Sequence, residues 1–134
     1  MQHYHYLTIE QREHLDALMH ERITSLRAEI AEVLRKGGGD MAADAAREIE
    51  SSSDAPTAAL ENALATAALE REAAALRDML AARVRLHTPE FGVCADCGAD
   101  IPYVRLEAMP TATRCVACQA RFEHAPGADG TPSR

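Results

Sequence analysis

Phe91-Gly-Val-Cys94-Ala-Asp-Cys97-Gly98 and, further on, Thr113-Arg-Cys115-Val-Ala-Cys118-Gln119 decide how this chain is read. They hold its four cysteines as two C-x-x-C pairs with 17 residues between them. That spacing predicts one structural zinc site with Cys94, Cys97, Cys115 and Cys118 as ligands. Two intervening residues let both sulfurs of a pair meet one tetrahedral ion, and Gly98 permits a tight turn behind it. The alternatives are two disulfides, free thiols, or a redox dithiol. Nothing like a secretory signal precedes the site, so an oxidising compartment is not expected. No strand-rich α/β pattern surrounds either pair, as a thioredoxin-like dithiol requires.

Working outward, the 134 residues suit one domain, or one domain plus an extension. Trp is absent, aromatics are few and Ala is abundant, which favours helix over a large mixed core. No apolar run reaches membrane-span length, so a soluble, cytoplasmic protein is expected. The net charge is −7, and Lys36 is the one lysine. From Cys94 to Glu123, Arg105, Arg114 and Arg121 face Asp96, Asp100, Glu107 and Glu123. A free-standing nucleic-acid reader needs a basic face, and this module lacks one. The three arginines instead suit the negative charge of a zinc held by four thiolates.

Before the cysteines the pattern is helical. Thr8-Ile-Glu-Gln11 is a capping box, and Leu15, Met19, Ile23, Leu26, Ile30 and Val33 recur at steps of four and three, widened by Leu18 and Leu34. This predicts a helix from about Ile9 to Lys36, ended by Gly37-Gly-Gly39. A second helix is expected from about Ala55 to His87, capped by Asp54, with the stripe Leu60, Leu64, Leu69, Ala73, Leu76, Leu80 and Val84. Neither helix can bury its stripe alone. The expected fold is therefore mainly α, an antiparallel helical hairpin (coiled coil) with a C-terminal four-cysteine zinc finger. Its parts are an N-terminal extension over 1–7, the hairpin over 8–90, the finger over 91–123 and a disordered tail over 124–134. Between the helices, at about 37–55, lies an acidic tip loop whose middle, Met41–Glu50, can hold a short helix or extend either long one. From Gly37 to Glu61, six acids stand against Arg47 alone, a local net charge of −5. Such a run is either a solvated loop or an acidic probe. His3 and His5 alternate without a ligand-like partner, and His14, His20, His87 and His124 have no zinc-ligand spacing to the cysteines.

The residues beyond the cysteines carry a resemblance. Phe91-Gly92, Ile101-Pro102, Arg105-Leu-Glu-Ala108 and Pro110-Thr-Ala112, set around the two pairs, resemble the signature of the bacterial DksA/TraR family. With the preceding hairpin the resemblance covers about Thr8 to Glu123. It implies a non-enzymatic transcription regulator that binds RNA polymerase directly rather than promoter DNA. The zinc-bearing end would dock at the rim of the secondary channel, and the acidic tip would enter it. It also implies an Asp-x-x-Asp-x-Ala motif at the tip. The nearest register here is Met41-Ala-Ala-Asp44-Ala-Ala46, with Met in the first position. Asp40 is an adjacent extra acid, and Ser51-Ser-Ser-Asp54-Ala-Pro56 is a second candidate. Asp44, with Asp40 or Asp54, is thus the expected effector. Two positions that are basic in DksA, where some members work with the alarmone ppGpp, hold Met109 and Gln119. Strong help from the alarmone is therefore not expected, although Arg83 and Arg85 lie near in sequence and could compensate. Two rival readings are a coiled-coil adaptor acting on another protein and a nucleic-acid-binding zinc ribbon.

Overall fold

A computed structural model describes residues 6–51 and 56–124. Six helices follow in order: α1 (Ile9–Lys36), α2 (Gly39–Ser51), α3 (Ala58–Thr66), α4 (Glu70–Arg85), α5 (Tyr103–Ala108) and α6 (Val116–His124). Among the described residues the extended structure is one antiparallel bridge, Val93 with Asp100. The chain divides into two compact units. Among the described residues, those up to Ala17 together with those from Ala82 form a finger unit, and those between Leu18 and Ala81 form a helical unit.

The ends of α1 are those its sequence predicts. Thr8 and Gln11 make the reciprocal capping box: Gln11 N donates to Thr8 Oγ1 at 3.0 Å, and Thr8 N donates to Gln11 Oε1 at 2.9 Å. At the other end Gly37 N and Gly38 N bond back to Leu34 and Arg35 carbonyls, and Gly38 and Gly39 turn the chain at φ 79° and 89°. The buried face holds Leu15, Met19, Ile23, Ile30, Ala31 and Leu34. Val33, expected on the seam, is exposed. A straight helix drifts about 20° per heptad from a strict 3.5-residue repeat, so the seam passes to Leu34.

The middle of the expected tip segment takes up the short helix its sequence allowed. Residues 39–51 form α2, whose Ala45, Ala46 and Ile49 are buried. Ala-rich sequence is the best helix former, and two alanines and Ile49 at helical spacing supply an apolar face. α2 packs on α3. Arg35 ties the end of α1 to Glu50 at 2.6 Å. Glu48 accepts from Thr57 N and Thr57 Oγ1, both at 3.1 Å. Thr57 Oγ1 in turn accepts from Leu60 N, so Thr57 is the N-cap of α3. The expected cap, Asp54, lies outside the described residues, as do His3, His5 and the tail beyond His124.

The second long helix is not continuous. α3 stops at Thr66, and α4 starts at Glu70. Ala68 N bonds Ala65 O at 3.1 Å, Leu69 N bonds Leu64 O at 2.9 Å, and Ala68 takes φ 60°. These are the two bonds and the left-handed residue of a Schellman motif, with Leu64 and Leu69 buried beside it. Ala usually avoids that conformation, so the break draws its stability from these contacts rather than from a breaker residue. Beyond the break the buried stripe is Ala73, Leu76, Met79, Ala82 and Leu86, and Val84 is exposed. Repeated steps of four precess around a 3.6-residue helix, and this carries Val84 off the face. Arg27 from α1, Ile49 from α2, Leu60 and Leu64 from α3, and Leu76 from α4 line one small cavity of the helical unit.

Candidate metal centre

The finger unit is built from both ends of the chain. Arg12 on α1 donates to the carbonyl of Leu86, and Asp16 bridges Arg83 on α4 at 2.9 Å. These pairs set the two helices antiparallel here. The Asp16 bridge holds the Arg83 guanidinium above its ordinary pKa. His14 Nε2 lies 3.1 Å from Glu107 of α5. Tyr6 donates through Oη to the carbonyls of Gly92 and Ile101. A Cβ on Gly92 would meet Tyr6 Oη at 2.8 Å, so glycine makes room for the ring as well as adopting φ 83°. Burial pushes the Tyr6 phenol up to about 12, helped by Asp100 and opposed by Arg12. Leu7, Leu86, Phe91, Ile101 and Leu106 are buried in this unit.

The two C-x-x-C pairs sit on different supports. The first lies in a backbone knuckle: Cys94 N bonds Ala99 O at 2.8 Å, and Gly98 N bonds Cys94 O at 3.0 Å with Gly98 at φ 78°. The second opens α6, where Gln119 N bonds Cys115 O at 2.8 Å and Cys118 N approaches Cys115 Sγ at 3.5 Å. Ala95 N to Thr113 O, 2.8 Å, joins the two supports. All four Sγ atoms lie within 4.8 Å of one another. No disulfide joins them, and Cys97 Sγ to Cys115 Sγ is 3.9 Å. A tetrahedral zinc with bonds of about 2.3 Å needs sulfurs about 3.8 Å apart. The donor set therefore fits zinc in number, chemistry and spacing. Cys94 and Cys118 are buried, and Cys97 is exposed.

The electrostatics agree. Backbone N–H groups, those of Cys115 and Cys97 first, lower the Cys94 thiol to about 6. Burial, and then hydrogen bonds with the neighbouring thiols, raise Cys118 to about 12 against the pull of Arg121. Four thiols in this space do not all ionise unaided, and a divalent cation supplies the missing charge. Of the three arginines expected to offset the thiolates, Arg121 touches a sulfur, 2.9 Å from Cys118 Sγ. The other two tie the module together. Arg114 donates to Asp96 at 2.8 Å and lies 4.0 Å over the Phe122 ring, and Arg105 donates to the Arg114 carbonyl at 3.0 Å.

The other expected site residues lie elsewhere. Asp40 is in the first turn of α2, and Asp44 is exposed on the same helix in an ion pair with Arg47. Asp54 lies outside the described residues. Met109 is half-exposed, and Gln119 donates to Glu123 at 2.8 Å. The structure keeps Met109 and Gln119 in the finger unit with Arg83 and Arg85, and it engages Arg83 with Asp16. No local pattern marked Tyr6. It binds residues 86 and 95 positions away, and its one sequence signal is an aromatic beside Leu7 in a chain poor in aromatics.

Comparison with known proteins accords with this geometry. Residues 89–124 match the family described as prokaryotic dksA/traR C4-type zinc finger. The chain is 49% identical over 47 residues to an uncharacterized 8.2 kDa protein of Escherichia phage P2, covering 35% of this chain and 64% of that one. It is 39% identical over 54 residues to the RNA polymerase-binding transcription factor DksA of Haemophilus influenzae, covering 40% and 37%. The chain thus spans less than two thirds of the length of either relative. The solved structure of transcription factor DksA2 from Pseudomonas aeruginosa superposes with a TM-score of 0.58 at 28% identity, over 88% of this chain and 87% of that one. Fold and site define a helical protein with a C4-type finger for one structural zinc ion. The chain belongs to the DksA/TraR family.

Proposed function

We propose that this protein is a transcription regulator that binds RNA polymerase directly and works where polymerase does, in the cytoplasm. The observation that carries the reading is the joint match of finger and fold to DksA-type transcription factors. Cys94, Cys97, Cys115 and Cys118 ligate zinc, and the metal's role is structural: it closes the finger around its two supports. The acidic segment around α2 enters the secondary channel, with Asp44 and either Asp40 or Asp54 as effector. A channel that admits anionic nucleotides favours a positive lining, and a negative segment is steered toward it. No reaction is assigned to the chain. Sequence-specific DNA binding is not part of its action, since its charge opposes it. Met109 and Gln119 carry no charge and Arg83 is held by Asp16, so ppGpp adds little at the interface this chain forms.

Capture of core polymerase by the purified protein, paired with in vitro transcription, tests this. Asp44→Asn should bind polymerase nearly as well as wild type and shift initiation less. Failure to capture polymerase overturns the reading. Unchanged initiation with Asp44→Asn and Asp54→Asn, alone and combined, overturns the effector assignment.

A further inference from the structure

α1, α2 and α3 enclose an open groove of about 460 Å³ in the helical unit. Its floor is apolar and made mostly of small side chains, with Leu34, Ala45, Leu60 and Ala63 among them. Among the described residues of this unit, two large apolar side chains are exposed: Val33 at 40% and Met41 at 81%. Both line this groove. Met41 and Val33 thus join the apolar floor in one contiguous patch rather than standing as scattered surface side chains, and such patches mark interaction surfaces. Met is flexible and polarizable and adapts to different apolar side chains. Met41 also stands where the family's tip motif has an acid, so this chain places an apolar group at a charged position.

The charge around the groove selects among partners. Asp44 and Glu48 line it, and no Lys or Arg does. α2 as a whole carries Asp40, Asp44, Glu48 and Glu50 against Arg47, which pairs with Asp44. A second copy of this chain would bring like charge to the groove, at a cost.

We propose that this groove is a docking surface for a polypeptide segment that presents an apolar side chain flanked by lysine or arginine, with Met41 as the anchor on this side. The apolar residue enters between α2 and α3 beside Met41 and Val33, and the flanking cations meet the acids at the rim. This is the helix-in-groove mode of recognition, with apolar burial for affinity and charge for orientation. It rests on the regulatory reading, in which polymerase supplies that segment, and it adds an apolar contact to the acidic one.

The test uses the full chain with labelled Met and Ala methyl groups, followed by NMR. The probe is a short amphipathic peptide with Leu on one face and Lys beside it. Saturable shifts are expected at Met41, Ala45 and Ala63. Met41→Asp should weaken binding roughly tenfold or more, the ordinary effect of removing an anchor. Met41 is so exposed that folding should be unaffected, which helical circular dichroism checks, and Met41→Leu should bind like wild type. The same peptide with Glu in place of Lys should bind at least about tenfold more weakly. The proposal is overturned by the absence of saturable shifts at Met41, by equal affinity of the Glu peptide, or by Met41→Asp binding as wild type does. Shifts at Met41 that grow with protein concentration alone would make a second copy the occupant and overturn it too. Polymerase capture is measured in parallel. Capture without peptide binding overturns the groove alone, and peptide binding without capture overturns the regulatory reading alone.

Discussion

The finger unit and the helical unit both bury apolar side chains but are tied together over different distances along the chain. In the finger unit distant residues meet through polar bonds: Tyr6 with Gly92 and Ile101, Arg12 with Leu86, Asp16 with Arg83, and the four thiols with one another. In the helical unit the polar ties, Arg35 with Glu50 and Glu48 with Thr57, join elements that follow one another in sequence, beside apolar side chains buried from α1 to α4. A unit built on a few long-range ties should fail when one key tie is removed. One joined through successive helices should lose stability in proportion to the buried volume removed.

The largest effect should come from zinc. Structural zinc contributes on the order of 10 kcal/mol in small domains. Chelation, or Cys118→Ser, should abolish amide protection in the finger unit while much of the helicity from α2, α3 and adjoining α1 persists, as site-resolved hydrogen exchange will show. Elemental analysis of reduced, freshly purified protein should find one zinc per chain. Collapse of both units together on metal removal would erase the distinction drawn above.

Next is Leu64→Ala. Leu64 is 3% exposed, lines the shared cavity of the helical unit and contacts the Schellman turn region. The loss should be about 2–5 kcal/mol in urea unfolding, with zinc content unchanged.

Tyr6→Phe should cost about 1 kcal/mol, confined to the finger unit. Its pH dependence has a definite sign. The folded pKa, about 12, lies above the unfolded value of 10.0. The neutral phenol's contribution is therefore complete below pH 10 and lost as pH rises from 10 toward 12. Wild type and Tyr6→Phe should converge in stability over that range, and parallel curves would remove the phenol from the account.

The smallest effect is a gain. Ala68→Gly relieves a left-handed alanine and should stabilise the helical unit by up to about 1 kcal/mol, visible as a higher thermal midpoint. A loss instead would mean that unfolded-chain entropy outweighs the strain.

How much of this was legible follows from where the determinants lie along the chain. The span of α1 was legible because Thr8, Gln11 and Gly37–Gly39 are local signals. The finger was legible because its ligands are a rare residue at a fixed spacing. The break at Ala67–Leu69 was not. Ala is a strong helix former, and what ends α3 is the pairing of Leu64 with Leu69, which looks like an unbroken stripe until the chain turns. Val33 was misplaced because a heptad template was held too long against a 3.6-residue helix, and Val84 because steps of four precess around it. At 41–50 the sequence allowed either a separate short helix or an extension of a long one, and the packing of α2 on α3, a tertiary fact, accompanies the separate helix. Tyr6 was illegible because its partners lie some ninety positions away.

The finger unit draws on residues up to Ala17 and again from Ala82, so the helical unit is an insertion within it. This sets an order of events on the ribosome. Residues 18–81 are complete before Ala82 is added, while the opening turns of α1, made earlier still, wait for their partners. The last thiol, Cys118, is added 36 positions after Ala82, roughly 2–7 s later at about 5–20 residues per second. Capture of a metal by all four cysteines is thus a late step in biosynthesis, and a nascent chain interrupted before Cys118 would carry the whole helical unit's sequence without a complete ligand set.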